Sequence, residues 1–202
     1  NVAVSFKTEN LPGWGETLKL KPSATEGLDS HDARFSIPFN RHDHRISLSY
    51  SLSDSAVIEE PFNEIGVKSA TESFGLNFDF PIKKTLRSSV DLQLTFESRK
   101  NDTSLLGIPF SFSEGAVNGE SKVSPVRLAL LYSKTGVSQA VAARLAISKG
   151  TKAFGATENN NQADGDFTSY LAQAQFSRQF SEQFYVTTKL LAQYATSTLL
   201  SI

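Results

Sequence analysis

Along most of this chain apolar and polar residues alternate with a period of two, as strands do, and almost nowhere with the spacing of a helix. Val90, Leu92, Leu94 and Phe96 fall on one face, and Asp91, Gln93, Thr95 and Glu97 on the other. Phe74, Leu76, Phe78 and Phe80 oppose Ser73, Gly75, Asn77 and Asp79 in the same way, and Ile46, Leu48, Tyr50 and Leu52 alternate with Ser47, Ser49, Ser51 and Ser53. The pattern predicts about ten strands, near residues 2–9, 15–22, 32–39, 45–54, 67–80, 86–99, 123–133, 138–148, 166–177 and 183–197.

The connections sort into two kinds in strict alternation. Tight turns are expected at Asn10–Glu16, Asn40–His44, Pro81–Thr85, Lys134–Val137 and Arg178–Glu182. Longer polar loops are expected at Ser23–His31, Ser55–Gly66, Lys100–Lys122 and Lys149–Gly165. In an up-and-down meander this places short turns at one end and long loops at the other, the asymmetry of an outer-membrane barrel. The fold class read from the sequence is therefore all-β: an antiparallel up-and-down transmembrane β-barrel. A soluble β-barrel binding protein would show the same alternation with the faces exchanged.

Two features favour the membrane. The polar face carries bulky and charged residues, namely Arg34, Arg87, Asp91, Gln93, Glu97, Arg127, Arg144, Gln173, Gln175, Lys189 and Gln193, which suit a wet lumen. Phe6, Phe39, Phe80, Tyr132 and Phe176 gather near the short turns, with Trp14, Phe180 and Phe184 in or beside them, as a headgroup-level ring would. Lipid offers no partner to backbone N–H and C=O groups, so strands cross it only as a closed barrel.

Composition removes other classes. The 202 residues carry 20 Lys+Arg against 21 Asp+Glu, a net charge of −1, without the basic excess of a nucleic-acid binder. There is no Cys, hence no disulfide framework and no thiolate ligand or nucleophile. There is no Met, so the chain reads as a processed or excerpted piece. No apolar run reaches the roughly 18 residues of a membrane helix.

Candidate chemistry is sparse. His42-Asp43-His44 holds metal-ligating residue types, yet it falls in a short turn between Arg41 and Arg45 and reads as a solvated turn. Asp29-Ser30-His31-Asp32 holds the residue types of a hydrolytic dyad in what is expected to be an outer loop. A complete ten-strand outer-membrane hydrolase would need further histidines from that side, and His31 is the only one there. Asn159–Asp166 lacks the register of a calcium loop. The apolar stretch Leu105–Phe112 either packs on a rim, folds inward or forms an extra hairpin. No catalytic, metal or cofactor-binding residue is assigned.

The opening resembles a known motif. Ser5–Leu18, with Asn10, Pro12, Gly13, Trp14, Gly15 and Glu16 at its turn, is similar to the strand, Asn-Pro-Leu-Gly-Leu-Gly-Asp type turn and strand of two-partner secretion transporters. These are the haemolysin secretion and activation proteins of the Omp85 superfamily; here Leu11 and Pro12 stand in exchanged order. Lys189–Ala195 followed by Leu199-Leu200-Ser201 looks like that family's Leu-X-Gly-Gln-Tyr/Trp-Ala strand and its continuation. The resemblance implies that residues 1–202 form a single partial barrel domain, the second to eleventh strands of sixteen. It places the POTRA domains before Asn1, and the Val-Arg-Gly-Tyr type loop and closing strands after Ile202. It implies an outer-membrane pore segment, not an enzyme, that moves an unfolded haemolysin- or adhesin-like exoprotein out of the periplasm. The implied partners are that exoprotein and the lipid bilayer, with no nucleic acid, small-molecule substrate or cofactor. An evenly mixed lumen is expected, since tight binding would stall transit.

Overall fold

The computed structural model describes residues 2–158 and 165–197. Among them are twelve strands in one antiparallel sheet: β1 (Val2–Ala3), β2 (Phe6–Glu9), β3 (Thr17–Thr25), β4 (Leu28–Pro38), β5 (Arg45–Ala56), β6 (Lys68–Lys84), β7 (Ser88–Leu105), β8 (Ile108–Pro109), β9 (Glu120–Thr135), β10 (Gln139–Thr151), β11 (Thr168–Gln179) and β12 (Tyr185–Ala195). Each long strand pairs with its neighbours in sequence; β1 and β2 share one side of β3, and β8 pairs with β7. Phe62–Ile65 and Ala153–Gly155 are short 3-10 turns within connections. The first and last long strands do not meet among the described residues, so this sheet is an open arc.

The pairing carries a steady stagger. One row of directly opposed residues crosses ten strands: Glu9, Thr17, Ser36, Ser47, Asn77, Thr95, Arg127, Ser148, Ser169 and Ala195. It begins at the short-turn end of β2 and finishes at the opposite end of β12. With about 3.3 Å per residue and 4.8 Å per strand, that climb corresponds to a strand tilt of roughly 35–40°. Closing a sheet into a barrel requires such a tilt.

The faces are inverted relative to a water-soluble protein. Leu128, Leu145 and Phe74 are 44%, 57% and 48% exposed, whereas Ser47, Ala129 and Ser148 on the polar face are 3%, 2% and 7% exposed. Side chains converge on the concave side of a curved sheet and splay on the convex side, so the polar face is the inner one. On the outer face each apolar run ends after about four outward positions: Phe96 is followed by Ser98, Lys100 and Asp102, Phe74 by Glu72, and Ile147 by Lys149. Four such positions span roughly 20–25 Å of strand, about the height of the apolar band of an outer-membrane barrel. No helix among the described residues is long and apolar enough to cross a membrane; barrels cross with strands.

Aromatics stand at two levels, where the sequence suggested one. Near the short turns Phe39 and His44 approach Phe80, with centroids 6.3 and 5.3 Å away, and the Arg178 guanidinium lies 4.8 Å over the Phe180 ring. Toward the loops, the outward Tyr170 and Tyr194 stack at 6.3 Å and Tyr50 donates to Glu72 Oε1 at 2.8 Å. Leu92, Leu94, Leu128, Leu130 and Leu145 fill the space between. Two aromatic levels around an aliphatic band match the two edges of a bilayer.

Several expected boundaries move. Ser23–His31 is not a loop: β3 and β4 run on to a two-residue turn, Glu26–Gly27, with Thr25 opposite Leu28. Alternation of short and long connections therefore fails at that position and holds at the other three loop-side connections. Within Lys100–Lys122, β7 continues to Leu105 and folds back through Leu106–Gly107 to β8, the extra-hairpin alternative. Leu106 and Gly107 have φ of 53° and 78°, the left-handed pair that a tight hairpin demands. Pro38 ends β4, and Pro81 precedes a bulge at which Ile82 drops out of register.

Candidate functional site: the inner wall

The inner wall is assembled from small hydroxylic residues with long polar side chains set among them. Thr95 donates to Asn77 Oδ1 at 2.6 Å and Gln93 Nε2 to Asp79 Oδ1 at 2.7 Å. Glu97 stands between two arginines, its Oε1 2.9 Å from Arg99 Nη2 and its Oε2 3.8 Å from Arg127 Nη1. Arg99 Nε donates to Ser73 Oγ and Arg127 Nε to Ser148 Oγ, at 3.2 and 3.0 Å. The chain from Ser73 to Ser148 crosses four strands: Ser73 stands opposite Arg99 and Arg127 opposite Ser148, while Glu97 joins them as the same-face neighbour of Arg99 on β7 and the diagonal neighbour of Arg127.

Of the residues expected on this wall, Arg34, Asp91, Gln93, Glu97, Arg127, Arg144, Gln173, Gln175, Lys189 and Gln193 lie on the strands with that parity. Arg87 does not. It falls in the turn between β6 and β7, where its N–H is directed at Thr85 Oγ1 and its carbonyl accepts from Thr135 N–H at 2.8 Å, which carries the β7–β9 ladder one residue past the start of β7.

Reading strand parity across the whole sheet adds residues that the sequence reading left out: Lys7, Lys19, Lys21, Arg45, Lys84 and Arg99. The inner strand positions then hold ten basic residues, with Arg34, Arg127, Arg144 and Lys189, against five acidic ones, Glu9, Asp32, Asp79, Asp91 and Glu97, among the described residues. The expected even mixture is replaced by a two-to-one excess of positive charge. Lys7 and Arg99 were legible as inward by alternation; Lys84 was not, since the bulge at Ile82 reverses its face.

Hollows open along the wall. One of about 230 Å³ lies toward the short turns among Lys7, Glu9, Lys19, Arg34, Arg45 and Asp79. Another of about 670 Å³ lies beside Asp91, Arg144, Gln173, Gln175 and Lys189. Arg144 Nε is buried there with no hydrogen-bond partner.

The turn resembling the family motif is closely built. Asn10 adopts φ 53° and its Oδ1 accepts from Gly15 N–H at 2.7 Å. Gly15, at φ +73°, lies so near Pro38 that an added Cβ would stand 3.1 Å from its Cγ. Gly13 supplies φ 87° between Pro12 and an exposed Trp14, and Glu16 is buried. The glycines are thus demanded by the backbone, and the turn packs against the end of β4.

The polar clusters weighed for catalysis do not gather a site. Asp29, Ser30, His31 and Asp32 lie within β4, not in a loop, so His31 and Ser30 face opposite sides of the sheet. In the His42–His44 turn Asn40 Nδ2 donates to His44 Nδ1 at 2.7 Å, and Asp43 takes Lys84 Nζ at 2.8 Å and Arg45 Nε at 3.3 Å. The hydrogen bond from Lys84 holds the Asp43 carboxyl below its ordinary range. Among the described residues no group of three or more His, Cys, Asp or Glu is arranged to hold a metal. Most of Asn159–Asp166 lies outside the described residues; Asp166 pairs with Lys149 Nζ at 2.6 Å.

A staggered arc with an apolar outside, two aromatic levels and a polar inside narrows the possibilities to membrane barrels, and sequence comparison decides among them. The model of the haemolysin secretion/activation protein family ShlB/FhaC/HecB matches residues 2–202. The chain belongs to this family. As a ShlB/FhaC/HecB protein it is an outer-membrane β-barrel protein of the two-partner secretion class, whose members are transporters. No curated protein matches the chain by sequence. Similar solved folds include CdiB from Escherichia coli, with TM-score 0.75, 16% identity and 98% of this chain covered. CdiB from Acinetobacter baumannii follows with TM-score 0.67, 12% identity and 98% covered. BamA from Haemophilus ducreyi lacking POTRA domains 1–3 gives 0.61, 13% and 97%. The chain spans 37%, 35% and 38% of those three chains.

Proposed function

We propose that the chain is the larger arc of the wall of a secretion pore, completed by further strands into a barrel through which an unfolded exoprotein leaves the periplasm. The observation that carries this reading is the polar row from Glu9 to Ala195, which crosses the arc on the concave face while the convex face stays apolar. Family membership supports the transport class, and the two open edges support completion by further strands. No chemistry on the substrate is required. The wall supplies hydroxyl, amide and charged groups that replace water around a passing chain without a tight site.

Because residues 1–202 hold no Cys, a single cysteine placed among them is the only thiol of this arc. In the intact secretion protein, Gln93→Cys labelled with a charged, membrane-impermeant thiol reagent is expected to lose conductance and secretion. Leu94→Cys, one residue along on the other face, is expected to react only with a lipid-soluble reagent and to keep both. Equal labelling of the two sites by the charged reagent would overturn the reading.

A further inference from the structure

The two-to-one excess of bases on the inner wall has a functional consequence. The chain as a whole is neutral within one charge, so the imbalance comes from the distribution of charges between faces and connections. Local pairing cancels only part of it: Lys7 pairs with Glu9, and Lys84 and Arg45 both reach Asp43 in the turn beside the wall. Arg99 and Arg127 share the single carboxylate of Glu97, Arg144 Nε is buried without a partner, and Arg34 stands beside Lys19 across the β3–β4 pair. These are arginines, which stay charged at any physiological pH. A cleft lined by one sign of charge concentrates counter-ions and steers ligands of the opposite sign.

We propose that the inner wall selects for anions, and that the polypeptide segment it passes is acidic. This rests on the pore reading above. Successive arginines separated by serine and threonine provide repeated, shallow attraction along the path, so an acidic chain is drawn in and handed on without one deep minimum. The hollow lined by Arg144 and Lys189, with Asp91 at its side, is where an aspartate or glutamate side chain would meet two cationic side chains.

The test uses the intact secretion protein in planar bilayers under a KCl gradient. The expected chloride-to-potassium permeability ratio is above one and falls toward one as salt rises past about 0.1 M, where the Debye length shortens to about 10 Å. The Arg34→Glu, Arg144→Glu pair is expected to bring the ratio below one; Arg34→Gln, Arg144→Gln, which keeps side-chain bulk, should give an intermediate value. Lys68→Glu on the convex face should leave it unchanged. Poly-glutamate should block the current at a lower concentration than poly-lysine of equal length. A conducting channel that prefers potassium, or that poly-lysine blocks first, overturns the anion proposal and leaves the pore intact. A barrel that is folded by circular dichroism but does not conduct overturns both.

Discussion

The two faces of this sheet are made from one chain by strict alternation, yet they obey opposite rules. On the inner face residues are small or polar, and long side chains such as Gln93 and Arg127 are held by a neighbour one strand away, Asp79 and Ser148. On the outer face large apolar side chains lie exposed, touching only others of the same face, and the charged groups above the band pair with one another, as Lys100 does with Asp102 and Glu120 at 3.1 and 2.9 Å. Exposure is therefore not hydration. The outer residues face a medium as apolar as themselves, and the core of this protein is shared with lipid.

That contrast is open to direct attack. The largest effect is expected on removing detergent or lipid: the arc should lose strand content and aggregate through its outer face and open edges, as seen by circular dichroism and light scattering. A folded monomer in plain buffer would exchange the assignment of faces. Next comes a matched pair of substitutions in the intact barrel, followed by unfolding in lipid vesicles. Leu128→Arg on the outer face should cost about 2–4 kcal/mol at mid-bilayer depth. Gln93→Arg on the inner face, where a donor to Asp79 is retained, should change stability by less than about 0.5 kcal/mol.

A smaller effect is expected within the inner wall. Glu97→Gln leaves Arg99 and Arg127 without their shared carboxylate, and since all three are partly exposed the loss should be about 1 kcal/mol. Lys100→Gln, in the ladder above the outer band, should cost less than that. Gly15→Ala should lose about 1 kcal/mol, because its left-handed backbone and the approach of Pro38 both resist a Cβ. The smallest effect concerns pH. A carboxyl held low in the folded state contributes stability above its unfolded pKa and loses it as pH falls through the lower folded one. The Asp43–Lys84 contact should thus persist at neutral pH and weaken below about pH 4, with Asp43→Asn abolishing that pH dependence.

How much was legible follows from where the bilayer ends. Inside the apolar band, alternation between lipid and water marks every second residue, and strands such as β5 and β10 were located to within a few residues. Above the band both faces meet water, and the signal vanishes although the backbone ladder continues. For that reason Asp29-Ser30-His31-Asp32 read as a loop while lying in β4, and β7 read as ending at 99 while it runs to Leu105. The motif turn was visible by its glycines, but not the reason for them, since Pro38 is 23 residues from Gly15 in sequence.

Periodicity, the placing of aromatics and the pattern of turns were enough to specify a strand-built membrane wall and to say which residues face its two sides, because a strand's side-chain period is fixed at two whatever it pairs with. Which residues meet across strands was settled by the fold. The stagger of the ladder brings Glu97 to Arg127, the bulge at Ile82 turns Lys84 inward toward Asp43, and the summed parity of ten strands leaves a wall with twice as many bases as acids. Those quantities depend on register, and register is set by many pairings acting together, which no single stretch of sequence contains.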